Sequence, residues 1–257
     1  MQHCTIANAR PTYEDRETSQ QKTVFDFASA LRANELILHY QPIVALGQGY
    51  IVGYEALARW RCEGVLFPPY KFVEELNRSC CLGPWLSSQV RQINEVLRYL
   101  PPHQWVSLNI SREALRLPDL DTILGQCQYR TRLRLEVSES VPLGDYEIGA
   151  IRELHRHYHL AADDFGCQGS DFGRLIEAEL FDTIKLDARI TQGVATDPRK
   201  GKICAFVLGL IETLKMAAIA EWIEDSQQAH WLQEYGCAYG QGALFGMPDQ
   251  LFPDRPE

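Results

Sequence analysis

What most constrains the fold of this 257-residue sequence is a recurrence: short apolar runs of strand character keep returning, and several of them end in a carboxylate. The runs are ELILHYQPIV, YIVGYEALARW, WVSLNI, LRLEVSE, LAADDFG, FDTIKLD, AAIAEWIE and, more weakly, AYGQGALFG. Segments of helical periodicity lie between most of them: YKFVEELN, WLSSQVRQINEVLRYL, EIGAIRELHRHY, ICAFVLGLIETLK and SQQAHWLQEYG. Strand candidates alternating with helices predict a parallel α/β architecture, either a closed barrel or an open doubly wound sheet. The first two strands depart from this rhythm. Only a short segment containing Gly47-Gln48-Gly49 joins them, too little for a crossover, so they are expected to pair antiparallel.

The positions of the acids carry the functional reading. Glu55 lies in YEALARW, Glu136 and Glu139 in LEVSES, Asp163 and Asp164 in ADDFG, Asp187 closes IKLD, and Glu221 and Glu224 sit in AEWIED. Asn109, a neutral oxygen ligand, closes VSLNIS. In a barrel the C-terminal ends of all strands meet on one face, which would crowd these groups into one pocket. Ionised carboxylates that close repel one another unless cations neutralise them. Hard divalent ions with oxygen ligands suit the set, Mg²⁺ or Mn²⁺ above all. Two such ions about 3.5–4 Å apart, sharing a carboxylate, would activate water against a phosphodiester. The adjacent Asp163-Asp164 pair suggests the shared ligand. Any single carboxylate after a strand is more often a helix cap or a turn residue. The whole set, with Lys185 two residues before Asp187 in the same strand, is harder to read that way, because a lysine among inward-facing acids can hold a water or a phosphate oxygen.

Composition excludes other classes. With 34 acidic against 25 basic residues the formal charge is −9, which counts against a nucleic-acid polymer as partner and against a polybasic membrane anchor. No run approaches the roughly 18 apolar residues of a membrane span, and the polar N-terminal stretch lacks the apolar core of a secretory signal. A cytoplasmic protein is expected. The eight cysteines form no C-x-x-C pair and are expected as free thiols. His155, His157 and His159 alternate in HRHYHL and are expected in an ordinary polar turn. Residues 1–22 and 251–257 read as tails around a domain at 23–250.

YQPIV…GYEALARW resembles the signature of the EAL-domain family of bacterial cyclic di-GMP phosphodiesterases, with Glu55-Ala56-Leu57 as the naming tripeptide. The likeness continues in order through SLNIS, LEVSES, DDFG, IKLD, AEWIE and YGQGALFG. It implies a modified TIM (β/α)8 barrel with an antiparallel first strand, and metal-dependent hydrolysis of cyclic di-GMP to linear pGpG. Carried over residue by residue, it implies Glu55, Asn109, Glu136 and Asp163 as ligands of one metal. Asp163, Asp164 and Glu221 would hold a second, with Asp187 in or beside the first shell. Lys185 would orient the attacking water, with Glu221 and Glu55 among the catalytic residues. Gln41, Leu57, Arg59, Asp187 and Gln241 would contact the dinucleotide. Glu139 would anchor the loop after Asp164, and Glu224 would support the ligands.

Two places depart from the family pattern. The segment after Asp164 reads FGCQGSDFG, so that Cys167, Gln168, Gly169, Ser170 and Asp171 alter a loop that shapes the second metal site. Trp222 stands where the family usually has glycine, and Asp225 where threonine is common. These departures keep open an alternative, a non-enzymatic EAL module that binds cyclic di-GMP or a protein. A homodimer and a separate sensory or effector protein are the candidate protein partners.

Overall fold

The computed structural model describes residues 26–138, 144–166 and 178–252. Its strands are Leu36–Ala45 (β1), Ile51–Cys62 (β2), Val65–Phe67 (β3), Trp105–Ile110 (β4), Leu133–Ser138 (β5), His159–Phe165 (β6), Thr183–Leu186 (β7), Ala217–Ala220 (β8) and Tyr239–Gly240 (β9). All of them except β3 close into an eight-stranded barrel, in the order β1-β2-β4-β5-β6-β7-β8-β9 and back to β1. From β2 round to β9 the pairings are parallel. β1 runs antiparallel to both of its neighbours. The barrel with an inverted first strand is therefore the architecture, and the open sheet is not.

The helices are Phe27–Arg32 (α1), Val73–Asn77 (α2), Leu82–Tyr99 (α3), Leu120–Leu124 (α4), Asp145–His155 (α5), Ala188–Thr191 (α6), Pro198–Thr213 (α7) and Ser226–Glu234 (α8). Their starts follow local chemistry. Asp26, Asp187, Asp197 and Asp225 cap α1, α6, α7 and α8 by accepting backbone N–H bonds, and Pro198 sits at a position where its missing N–H costs nothing. The long α3 buries Leu82, Trp85, Leu86, Gln89, Val90, Ile93, Val96 and Leu97 against the barrel, the spacing of one helical face. Each fully buried aliphatic side chain on that face contributes about 1.5–3 kcal/mol.

One strand was not expected from the sequence. Glu63 and Gly64 take positive φ of 51° and 78°, the geometry a tight hairpin needs, and they fold β3 back along the end of β2. At that same end Leu36 opens β1 opposite Trp60, and the Phe27 ring of α1 lies 5.7 Å from the Trp60 ring.

Successive strand residues alternate between the barrel interior and the helical layer. Ile43, Ala45, Val52, Trp105 and Ile219 form their own apolar cluster, apart from the main core beneath the helices. Arg134 lies 3.9 Å from the Trp105 ring centroid. Of the three histidines, His155 closes α5, while His159 opens β6 and is half-buried, so it does not lie in a turn. His155 Nε2 and His159 Nδ1 flank Asp182 at 3.3 and 3.6 Å. Burial, with Arg134 nearby, holds His159 down to about 4. Cys62, Cys80, Cys81, Cys127, Cys204 and Cys237 are free thiols. Among the described residues no helix is long and apolar enough to cross a membrane.

Candidate active site

Strands β2, β5, β6 and β7 and the residue after β8 deliver charged side chains to one point. Lys185, 1% exposed, places Nζ 2.8 Å from Glu136 Oε2, 2.9 Å from Asp163 Oδ1, 2.9 Å from Glu221 Oε1 and 3.2 Å from Glu55 Oε2. Among the described residues one cation thus serves four carboxylates, and the shortfall shows in their proton affinities. Burial and repulsion from Glu55 and Asp163 hold Glu136 well above the usual carboxylate range, despite Lys185. Burial also raises Asp163, helped by Glu55 and Asp164. Glu221 is pushed up to about 8 by burial and by its acidic neighbours. Glu55 goes the other way: burial pushes it up, but Lys185 and hydrogen bonds from Asn109 and Gln241 outweigh that. For Lys185 burial favours the neutral amine, yet the surrounding acids hold its pKa well above the ordinary lysine value.

Asp163 and Asp164 are neighbours in a strand, so ideal pleating would send them to opposite faces. The strand is bulged here: the pairing runs Ala162 with Ile184 and then Phe165 with Leu186, three steps on β6 against two on β7. Asp164 takes φ 61°, a left-handed conformation. The extra residue re-aims the backbone and brings both carboxylates to the same pocket. Oxygens of Glu55, Glu136 and Asp163 lie within 4.8 Å of one another, as do oxygens of Asp163, Asp164 and Glu221. Asp163 belongs to both groups.

These residues suit hard cations. Every donor is an oxygen, and Glu136 Oε1 is buried with no hydrogen-bond partner among the described residues. Asn109 adjoins the first group, donating from Nδ2 to Glu55 Oε1 at 2.9 Å. A titration follows from the raised acids. Because Glu221 binds its proton more tightly in the folded chain than its ordinary 4.5, its contribution to metal-free stability is present at low pH and is lost as pH rises from about 4.5 to about 8. Loading with Mn²⁺ at pH 7 is expected to expel a proton. Calorimetric titrations in buffers of different ionisation heat should then give different apparent enthalpies, and identical enthalpies would contradict the prediction.

The remaining expected residues divide. Gln241 Nε2 donates to Glu55 Oε2 at 2.7 Å and to Gln41 Oε1 at 3.0 Å, and Gln41 Nε2 donates to the Gly246 carbonyl at 3.1 Å. These amides hold Glu55 from the far side. Leu57 and Arg59 are half-buried farther along β2, and Arg59 Nη1 donates to its neighbour's carbonyl at 2.8 Å. Asp187 lies outside both carboxylate groups and caps α6, accepting from Arg189 N at 2.9 Å. The Glu224 side chain is exposed, while its backbone N–H donates to Gln228 Oε1 at 3.0 Å. Glu139, like Cys167, Gln168, Gly169, Ser170 and Asp171, lies outside the described residues.

Three supports had no signal in the sequence. Thr191 Oγ1 donates to the Glu221 carbonyl at 2.7 Å, and Ser138 Oγ to Asp164 Oδ2 at 3.3 Å. Gln228 Nε2 bonds the Thr191 and Trp222 carbonyls. Trp222 itself is 58% exposed and held at φ 57°, a conformation glycine takes freely and a bulky residue does not.

A model of the EAL domain matches residues 26–248. The cyclic di-GMP phosphodiesterase RocR of Pseudomonas aeruginosa is 31% identical over 254 residues, 93% of this chain and 64% of RocR. An uncharacterized signaling protein of Caulobacter vibrioides is 30% identical over 249 residues, 91% of this chain and 30% of that protein. This chain thus spans less than two thirds of either relative. In structure, the PaMucR phosphodiesterase in complex with c-di-GMP superposes with a TM-score of 0.76 at 26% identity, covering 87% of this chain and 96% of that one.

Proposed function

Since the chain belongs to the EAL domain family, we propose that it hydrolyses cyclic di-GMP to linear pGpG, with Mg²⁺ or Mn²⁺ in the two carboxylate groups. The observation that carries this reading is Asp163, common to both groups and paired with Lys185. Bound divalent cations would supply an acidified water and neutralise phosphate charge. Glu55, Asn109, Glu136 and Asp163 would hold one, and Asp163, Asp164 and Glu221 the other.

The chain's own groups do the rest. Lys185 keeps its proton at neutral pH, so it cannot accept one from water. It acts as a fixed donor that orients the attacking oxygen and then faces the charge growing on phosphorus. The proton must pass to a carboxylate. Glu221, whose side chain is 15% exposed against 1% for Glu136, is the acid nearer the solvent and the better acceptor. Arg59 can offer its guanidinium to a phosphate oxygen, while Gln41 and Gln241 hold Glu55 in place.

Purified protein with cyclic di-GMP and Mn²⁺ is expected to release pGpG, and Glu55→Ala to reduce the rate at least a hundredfold, roughly the cost of one key electrostatic group. Binding of the dinucleotide without turnover under either metal would replace this reading with that of a receptor. The exposed, strained Trp222 beside Glu221 is the observation that favours that second reading.

A further inference from the structure

Trp222 is held in a left-handed conformation, φ 57°, that a bulky side chain enters only under constraint. Its indole is 58% exposed, so packing of that ring does little to supply the constraint. Hydrogen bonds supply it. The carbonyl before the Trp222 Cα, that of Glu221, accepts from Thr191 Oγ1 at 2.7 Å, and the carbonyl after it, Trp222's own, accepts from Gln228 Nε2 at 3.2 Å. The same Nε2 donates to the Thr191 carbonyl at 3.0 Å, so the two donors are tied to each other. Gln228 Oε1 accepts from Glu224 N at 3.0 Å, which commits the whole amide to main-chain groups. Thr191 and Gln228 are both buried. Gln228 is itself fixed at the start of α8, where its N–H donates to the capping Asp225 Oδ1 at 2.8 Å.

Because peptide groups are planar, pinning the carbonyls on both sides of one Cα fixes that residue's φ and ψ. Released, Trp222 would turn toward negative φ, and the Glu221–Trp222 peptide would turn with it. Glu221 is the residue whose carboxylate lies 2.9 Å from Lys185 Nζ and shares the second oxygen group with Asp163 and Asp164. Among the described residues, no hydrogen bond of Gln228 reaches a carboxylate of that pocket. We infer that Gln228 is a positioning residue: with Thr191 it holds Trp222 in its strained conformation, and so keeps the Glu221 carboxylate where a divalent cation needs it. Strain of this kind persists only where surrounding contacts over-determine it. This role rests on the metal-dependent reading above and adds to it the side chains on which the second carboxylate group depends.

Gln228→Met keeps the length of the side chain and removes its amide. Thr191→Val, which removes only the hydroxyl, serves as a second variant should the first not fold. Mn²⁺ dissociation constants are read without substrate, from the electron paramagnetic resonance signal of the free ion, and urea midpoints are read in EDTA. Each variant is expected to bind at least one equivalent of Mn²⁺ about tenfold more weakly, the usual cost of losing a group that orients metal ligands. On a Trp222→Gly background, where glycine takes the left-handed conformation freely, the effect of Gln228→Met should shrink to about threefold or less, since coupled positions are not additive. A variant that loses stability in urea yet binds Mn²⁺ as wild type does would overturn the inference, as would an undiminished effect on the Trp222→Gly background. Hydrolysis of cyclic di-GMP is measured beside these. If wild type binds Mn²⁺ without hydrolysing the dinucleotide, the phosphodiesterase reading fails alone, and the Mn²⁺ constants decide the role of Gln228 by the same criteria. A wild-type protein that binds no Mn²⁺ overturns both.

Discussion

Lys185→Met is expected to cost the protein both turnover and much of its metal-free stability. The substitution keeps most of the buried stem and removes the ammonium that, among the described residues, faces Glu55, Glu136, Asp163 and Glu221. Losing one partner of a buried ionic cluster typically costs about 3–5 kcal/mol, because the charges left behind have neither water nor a counter-ion. The deficit should shrink at low pH, where Glu136 and Glu221, already raised, take up protons. It should shrink again when Mn²⁺ is added, since a divalent ion supplies the missing positive charge. Catalysis should not recover with stability: without a donor fixed at the reacting oxygen, kcat is expected to fall by about 10²–10³. Urea unfolding with EDTA and with Mn²⁺, beside the hydrolysis assay, separates these effects. A variant as stable as wild type in EDTA at pH 8 would contradict the picture of one lysine neutralising the cluster.

The second large effect concerns backbone geometry. A Cβ on Gly242 would stand 2.3 Å from both the N and the O of Ile223. Those atoms are committed, because Ile223 N donates to the Gln241 carbonyl and the Ile223 carbonyl accepts from Leu244 N, each at 3.0 Å. No side chain can rotate away to make room. Gly242→Ala is therefore expected to destabilise by about 3 kcal/mol or more, the upper end for overpacking. It should also weaken the adjacent Gln241–Glu55 contact. Gly149→Ala, on the exposed face of α5 with nothing within 4 Å of the added carbon, is the control and should stabilise by about 0.5–1 kcal/mol. A Gly242→Ala protein unfolding at the same urea concentration as wild type would show that the close approach is absent.

How much of this was legible in the sequence depends on the range of the interaction. The inverted pairing of β1 and β2 was readable because a five-residue link between Ala45 and Ile51 leaves no room for a crossover. The meeting of Glu55, Glu136, Asp163 and Glu221 around Lys185 was readable for a similar reason: strand alternation and barrel closure bring strand ends to one face whatever the loops do. The bulge that turns both Asp163 and Asp164 to the pocket was not, since the two residues alone cannot show where β6 gains a residue over β7. β3 escaped because Cys62-Glu63-Gly64-Val65 carries its turn signal on one glycine, with Glu63 taking the second left-handed position. Thr191 and Gln228 escaped for a deeper reason. They lie in or at the end of helices, and a helix's own periodicity says which face is buried without saying which strand end that face meets.

The reversed direction of β1 has a consequence for how the chain is threaded. In a barrel whose strands all run parallel, the polypeptide enters at the face opposite the strand ends. Here Leu36 starts level with Trp60 at the far end of β2, so the chain comes in on the side that carries the carboxylates. At its other end Asp249 pairs with Tyr40 of the same strand, and Phe252 reaches Tyr99 at the end of α3, their rings 6.0 Å apart. A displacement of α1 bears first on Trp60, the residue after Arg59 on β2, and so reaches the strand that carries Glu55 without crossing the body of the protein.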